Sequence, residues 1–214
     1  MNFFLAENKS EKRRLADRAI ELNESALQVL DQRVGLEKLS AAATLEERAE
    51  ILKQEAQAVQ VHFWCSVNWG LWAMAHGNLA SARQNVAGKI REHATLVILL
   101  DDQIWEGGGY RLLGRLHTDT PIVPIFTGWI EPAYGMKLLR KANKISTKDP
   151  RNPLFLAEGI LKFEPEHEDE AILLLEELSS RSPGDKRPVE EAYYIQEARR
   201  VLEKAQLHRA QRAS

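Results

Sequence analysis

The residues best suited to acid–base or metal chemistry are six histidines. They are His62, His76, His93, His117, His167 and His208. Their dispersal gives no metal-ligand spacing. His167 precedes three acidic residues, but consecutive helical residues point to different sides, so a solvated acidic helix start explains this run. We expect no metal site and no catalytic residue.

A run of three glycines is a candidate anion site. Gly107–Gly109 precede a predicted helix, whose first N–H groups, together with Arg111 and Arg115, could hold a phosphate or a carboxylate. The run lacks the lysine and the hydroxyl residue of a nucleotide-binding loop. A tight turn between Trp105 and Tyr110 explains the same glycines without a ligand. Since nucleophile and dinucleotide motifs are also missing, the sequence predicts a non-enzymatic protein without a cofactor.

The tryptophans are concentrated in one part of the chain. All five lie within residues 64–129: Trp64, Trp69, Trp72, Trp105 and Trp129. A helix that carries the first three presents a broad aromatic face, which either packs in the core or lines a groove for a peptide or a small apolar ligand. The residues expected to bind a ligand or partner are Trp64, Asn68, Trp72, Tyr110, Arg111, Arg115, Phe126 and Trp129. Specifically, Arg111 or Arg115 is predicted to share a pocket with Phe126 or Trp129.

The composition is that of a globular domain. The chain has 214 residues, of which 44% are hydrophobic and 28% charged, and this excludes a disordered tail and a membrane protein. A net charge of −2 gives no reason to expect a nucleic-acid partner or membrane insertion. The single cysteine, Cys65, lies among apolar residues and is predicted to be a buried thiol.

Helical patterns dominate the chain. Apolar spacing, glycines and prolines predict helices over about 10–33, 44–75, 79–93, 90–100, 110–118, 133–146, 153–163, 167–180 and 188–210. Thr44 and Glu47 form a capping box at the start of the second of these helices. Residues 119–132 contain three prolines and are predicted to be a loop. This segment is rich in apolar side chains, so it either covers an open end of the fold or forms a lid over a groove.

A faint repeat organises these helices. Gly70, Gly114 and Gly159 recur at near-equal spacing, and each is followed by a small residue and an apolar residue. This order favours antiparallel helix pairs of the tetratricopeptide (TPR) type, although the period is longer than the usual ~34 residues. We predict an all-α fold, with antiparallel helix pairs stacked as a short TPR-like right-handed solenoid. Gly70, Ala82, Gly114, Gly159 and Ala171 should lie at close helix contacts.

The predicted organisation is one helical-repeat domain over residues 1–214. Residues 1–43 form the N-terminal helix and its connection. Residues 44–185 hold the degenerate repeats with the insertion at 119–132, and residues 186–214 form a C-terminal capping helix.

Several short motifs resemble known helical-repeat proteins. They are His62-Phe63-Trp64, Asn68-Trp69-Gly70, Ala87-Gly88-Lys89-Ile90, the segment from Gly107 to Arg115, and Pro153-Leu154-Phe155-Leu156-Ala157-Glu158. This pattern, over roughly residues 55–205, is similar to that of the TPR-like T component associated with bacterial TRAP transporters. It is more distantly similar to the regulator-of-microtubule-dynamics family. The resemblance implies a helical-repeat fold that binds another protein, with a ligand-holding cavity or pore as a further expectation.

The expected function is therefore that of a non-enzymatic scaffold or adaptor that binds a partner protein or peptide. The alternative is a carrier or accessory protein, associated with a transporter, that holds a small ligand in an aromatic-lined cavity. Self-association is left open. We expect a cytoplasmic location because the sequence shows neither a signal peptide nor a lipid-acceptor cysteine; a trimmed native N-terminus would instead imply the periplasm.

Overall fold

All regular structure in the described part of the chain is helical. The computed structural model describes residues 3, 6 and 8–213, with only the backbone of residue 213, and contains no strand within them. The α-helices are α1 (Lys9–Val34), α2 (Leu36–Ala41), α3 (Leu45–Leu52), α4 (Ala58–His76), α5 (Asn78–Arg83), α6 (Val86–Leu100), α7 (Ile104–Asp119), α8 (Pro132–Ile145), α9 (Arg151–Phe163), α10 (Glu168–Ser179) and α11 (Pro188–Ala213). The predicted all-α class is confirmed for these residues.

Several helix ends follow from capping and glycine geometry. At the start of α3, Thr44 Oγ1 accepts the Glu47 N–H at 3.1 Å, while Glu47 Oε2 accepts the Ala43 N–H at 2.7 Å. The predicted cap is therefore present. Gly35 ends α1 at φ 92° and Gly77 ends α4 at φ 87°, in conformations that favour glycine.

The prediction of one helix over residues 44–75 is wrong, because turns at 53–57 divide it into α3 and α4. The Glu55 N–H donates to the Leu52 carbonyl at 3.0 Å, and the Ala58 N–H donates to the Glu55 carbonyl at 2.9 Å. Leu52 and Ala58 are both buried in one apolar cluster with Leu96 of α6. The break lets both helices reach this cluster, a tertiary effect that the helix-compatible segment 53–57 does not reveal.

Consecutive long helices pack against one another from α1 to α11, and their apolar side chains form three buried clusters. The first joins α1, α4, α6, α7 and α8. The second joins α8, α9, α10 and α11, and the third gathers α1, α2, α3, α4 and α6. Because α8 contributes to two clusters, its inner face is fixed firmly, and its outer face is left to solvent.

Small residues permit the closest helix contacts. A Cβ at Gly135 would lie 2.9 Å from the Gly114 carbonyl oxygen, and a Cβ at Gly159 would lie 2.6 Å from Met136 Sδ. Ala171 is completely buried. The predicted close contacts at Gly114, Gly159 and Ala171 are therefore confirmed.

Of the remaining two small residues, Gly70 differs from the prediction. A Cβ at Gly70 would meet no described heavy atom within 4 Å, so the prediction of a close contact there is wrong. The space beside this position of α4 is open, so a side chain would fit there. Ala82 is half-buried in the short helix α5.

Cys65 lies within α4 and is fully buried. Burial raises the pKa of its thiol to about 12, so the thiolate form is strongly disfavoured. The predicted buried thiol is confirmed.

Candidate interaction surfaces

Arg111 of α7 lies inside the protein, with an exposure of only 1%. Its Nη1 donates to Asn152 Oδ1 at 2.8 Å and to the Trp105 carbonyl at 3.3 Å, and its Nη2 lies 3.5 Å from Asp149 Oδ2. Burial lowers the pKa of Arg111 to about 10, so the guanidinium stays charged at neutral pH. Arg111 therefore joins α7 to the start of α9.

Asp149 is the centre of this buried ion group. Arg151 donates to its two carboxylate oxygens at 2.8 and 2.6 Å, and Arg187 approaches at 3.4 Å. Burial alone would raise the pKa of Asp149, but hydrogen bonds from Arg151 and the charges of Arg111 and Arg151 hold it well below its ordinary value. Arg151 also pairs with Glu190 of α11 at 2.8 Å. The group thus connects α7, α9 and α11.

A left-handed turn at the start of α7 is held by the same side chains. Trp105, Glu106 and Gly107 have φ values of 49°, 60° and 78°. Such a conformation costs about 1–2 kcal/mol at each non-glycine residue. Arg111 donates to the Trp105 carbonyl, and Asn152 Nδ2 donates to the Glu106 carbonyl at 2.9 Å. These bonds fix the turn in place.

The other two glycines of the run serve close packing. A Cβ at Gly108 would lie 2.5 Å from Phe63 Cε2, and a Cβ at Gly109 would lie 2.8 Å from Ile98 Cγ1. The glycine run therefore acts as a turn followed by a close contact of α7 with α4 and α6.

The turn places Trp105 beside an aromatic patch, which consists of Phe63, Trp64 and Trp105. The Trp105 ring is stacked on Phe63 with centroids 5.8 Å apart and meets the edge of Trp64 at 6.2 Å. Phe63 is buried, whereas Trp64 and Trp105 are exposed. Of the predicted site residues, Trp64 therefore lies on an accessible surface.

Asn68 and Trp72, also predicted to line a groove, lie at the contact of α4 with α1. Asn68 Nδ2 donates to Asn23 Oδ1 at 2.9 Å, and Trp72 Nε1 donates to Asp17 Oδ1 at 2.8 Å. The Trp72 ring is also stacked on His76 at 4.1 Å. Their polar groups thus serve the packing of these two helices.

Tyr110 and Arg115 bind elsewhere on α7. The Tyr110 hydroxyl donates to Asp102 Oδ2 at 3.1 Å and accepts from Lys141 of α8. Arg115 pairs with Asp119 and with Glu158 of α9, each at 2.5 Å. Tyr110, Arg111 and Arg115 therefore point to three different neighbourhoods.

Phe126 and Trp129 lie in the insertion after α7. Trp129 lies under Arg91 at 4.1 Å and beside His117 at 5.6 Å, while Phe126 is exposed. Arg111 and Arg115 contact residues of α7 and α9. Trp129 instead contacts residues of α6 and α7. The predicted pairing of Arg111 or Arg115 with either ring is not among these contacts.

The insertion forms an ordered apolar loop, residues 120–131. Thr127 Oγ1 accepts the Val123 N–H at 2.8 Å and donates to the Pro121 carbonyl at 2.6 Å. A Cβ at Gly128 would lie 2.6 Å from the Pro124 carbonyl oxygen, so the turn requires glycine there. Ile130 is buried and anchors the end of the loop.

The outer side of this apolar loop is exposed. The apolar side chains of Ile122, Val123, Ile125 and Phe126 are all accessible, with Ile125 reaching 89% exposure. Unlike flexible apolar residues in a disordered linker, they are displayed by a loop with internal hydrogen bonds. The loop therefore presents a fixed apolar surface.

Two groups that sequence reasoning missed are the Asp149 ion group and a buried histidine pair. His62 Nδ1 and His93 Nδ1 are 2.9 Å apart, across the contact of α4 with α6. Burial lowers the pKa of His62 to about 3 and that of His93 to about 4. Nothing in the spacing of these residues could have revealed either group. Pro150, which follows Asp149, indicates only a helix boundary.

No protein-family model matches the chain, and no curated protein matches it significantly. Within residues 3, 6 and 8–213, no three or more His, Cys, Asp or Glu side chains cluster as a metal site. None of the helices described over this part of the chain combines the length and the apolar character needed to cross a bilayer.

Proposed function

We propose that this protein is a non-enzymatic scaffold, built as a TPR-like right-handed stack of antiparallel helix pairs, that binds a partner protein through the apolar loop. The observation behind the proposal is the exposure of four large apolar side chains on an internally bonded loop. Exposed apolar side chains grouped in this way are typical of interaction sites.

The order of the loop supports this role. A side chain held in place before binding loses less conformational entropy in a complex than one on a mobile segment. Ile125 and Phe126 would supply apolar area to a groove in the partner, and the turn bonds of Thr127 would keep them in position. The Phe126 ring adds large area with few rotatable bonds.

The proposal is tested by photo-crosslinking. A photoreactive amino acid at position 125 should capture a discrete partner, whereas one at Leu173, which is exposed on α10, should not. The captured partner is then purified and its affinity measured. Ile125→Ser with Phe126→Ser should weaken binding by about tenfold or more, while Leu173→Ser should leave it unchanged.

Two outcomes would overturn this proposal. One is equal capture at positions 125 and 173. The other is an affinity that does not change in the loop double variant. A rise in melting temperature with a small-metabolite pool, without any protein partner, would favour the ligand-carrier alternative.

A further inference from the structure

A row of lysines follows the outer face of α8. Lys137, Lys141 and Lys144 are spaced by four and three residues, so they lie on one face of the helix over about 10 Å. All three side chains are exposed, and we call them the lysine row. The chain as a whole has a net charge of −2, whereas this row is a locally positive surface.

The lysine row differs from the arginines at the end of α11 because two of its three charges form no ion pair with described residues. On α11, Arg209 pairs with Asp169 at 2.7 Å and Arg212 pairs with Glu168 at 2.5 Å. In the described part of the chain, Lys137 and Lys144 form no ion pair. Lys141 has only Asp102, at 3.9 Å, as an acidic partner.

The surface beside the row is concave. A shallow depression of about 500 Å³ is lined by Arg140, Lys141, Lys144 and Ile145. Arg140 is neutralised by Glu164 at 2.5 Å and by Glu170 at 2.6 Å, so the positive charge of this depression comes from Lys144, which forms no ion pair in the described part of the chain, and from Lys141, which also donates to the Tyr110 hydroxyl. Ile145 adds apolar surface to the same depression.

We propose that the lysine row binds an acidic segment of a partner protein, a helix whose carboxylates recur every three to four residues. That spacing matches the row, because both helices would repeat their charges with the same rise per residue. This inference rests on the proposed function, since it assumes that the protein binds a partner protein. It concerns a different surface, because the lysine row is separate from the apolar loop.

Neighbouring charges favour a peptide over nucleic acid or an anionic membrane. Glu164 and Glu170 are held beside Arg140, and Asp102 lies next to Lys141. A long polyanion or a charged bilayer would extend over these carboxylates and be repelled. A helical peptide can follow the row alone and place its uncharged faces toward the acidic neighbours.

The test uses a fluorescein-labelled helical peptide of about five turns, with glutamates at the spacing of the lysine row on an alanine background. Fluorescence anisotropy should show binding that weakens with salt and is lost when glutamine replaces the glutamates. The triple variant Lys137→Glu, Lys141→Glu and Lys144→Glu should bind about tenfold or more weakly.

The matched control reverses the same number of charges elsewhere. Lys38, Arg83 and Lys204 are exposed and form no ion pair in the described part of the chain. Their triple change to glutamate should leave peptide binding nearly unchanged. Equal weakening by both triple variants would overturn the proposal, because it would show a general charge effect.

Two further measurements separate this proposal from its competitors. Tighter binding of a single-stranded oligonucleotide or of phosphatidylserine vesicles than of the acidic peptide would overturn it. The loop variant Ile125→Ser with Phe126→Ser should bind the acidic peptide normally. Failure of the apolar-loop proposal and failure of the lysine-row proposal therefore give different results.

Discussion

At the scale of single residues, the protein uses its charged side chains in two opposite ways. Arg111 and Asp149 are nearly excluded from water and form an ion pair with each other. Arg111 also donates to Asn152, and Asp149 also accepts hydrogen bonds from Arg151. Arg115 is partly exposed, and its ion pairs lie near the surface. Two arginines one turn apart on α7 therefore differ in role: Arg111 stabilises the fold from inside, whereas Arg115 contributes little from near the surface.

Replacing each of these arginines tests that difference. Arg111→Met should lower the free energy of unfolding by about 3–5 kcal/mol, because it removes one partner of a buried charge and releases the left-handed turn. Arg115→Met is the matched control and should cost at most about 1 kcal/mol. Urea unfolding followed by tryptophan fluorescence measures both. Similar losses would show that the ion group around Asp149 does not fix the turn.

At the scale of helices, glycine has opposite effects at two positions. Gly135 permits α8 to approach α7, whereas Gly70 of α4 faces open space. Alanine is a better helix former than glycine wherever it fits, by about 1 kcal/mol. The space around the Cβ therefore decides whether replacing each glycine by alanine raises or lowers the free energy of unfolding.

Gly135→Ala should destabilise the protein by about 1–3 kcal/mol, because its methyl would overlap the Gly114 carbonyl and force α7 and α8 apart. Gly70→Ala should instead stabilise it by about 0.5–1 kcal/mol. Thermal or urea unfolding of the two variants measures these changes. Stabilisation by Gly135→Ala would contradict the close approach of the two helices.

The contact of α4 with α6 should also depend on pH. The folded protein keeps His62 and His93 neutral, with pKa values lowered to about 3 and about 4 mainly by burial, and the pair lies near Arg48 and Lys89 as well as Glu92. The unfolded chain protonates its histidines near pH 6.5. Below that value it binds more protons than the folded state, so stability is complete above about pH 6.5 and falls as the pH drops toward 4.

This expectation is measured by urea unfolding between pH 8 and pH 4. His93→Gln retains an amide partner for His62 and removes one titrating group. The free energy of unfolding of this variant should therefore fall less steeply with decreasing pH than that of the unchanged protein, and the two slopes should differ by about 1.4 kcal/mol per pH unit in the acid range. His117 and the remaining acids are common to both proteins and cancel in the comparison. Parallel curves for the two proteins would exclude the pair as a source of the pH dependence.

Part of the fold and little of the site could be predicted from sequence. The capping box at Thr44, the glycine after α1 and the prolines of the apolar loop are local signals, so the corresponding boundaries were accessible. The break at 53–57 was not, because only packing against α6 requires it. The contact of Arg111 with Asp149 joins distant parts of the chain, and neither residue type by itself indicates a partner.

At the scale of the whole molecule, stability and accessibility should be distributed unevenly. The three apolar clusters hold the long helices together, and Ile130 anchors the end of the apolar loop in the first of them, whereas residues 120–128 of that loop and the segment 180–187 lie outside all three. Yet the apolar loop contains its own hydrogen bonds, from the N–H groups of Val123, Phe126 and Thr127. Exposure of its side chains therefore does not imply a mobile backbone.

Hydrogen exchange tests this distinction between exposure and mobility. The amides of Val123 and Thr127 should exchange more slowly than those of residues 185–187, although both segments are on the surface. Mass spectrometry of peptides that cover 121–130 and 182–188 makes the comparison. Equally rapid exchange would remove the argument that the loop is ordered before it binds.

The reaction rate of the single buried thiol can report how often the folded protein opens around α4. Cys65 is inaccessible in α4, and its raised pKa keeps it in the unreactive protonated form. A disulfide reagent can therefore modify the folded protein only when α4 separates from its neighbours. The rate of modification at high reagent concentration reports how often that separation occurs, without any added label.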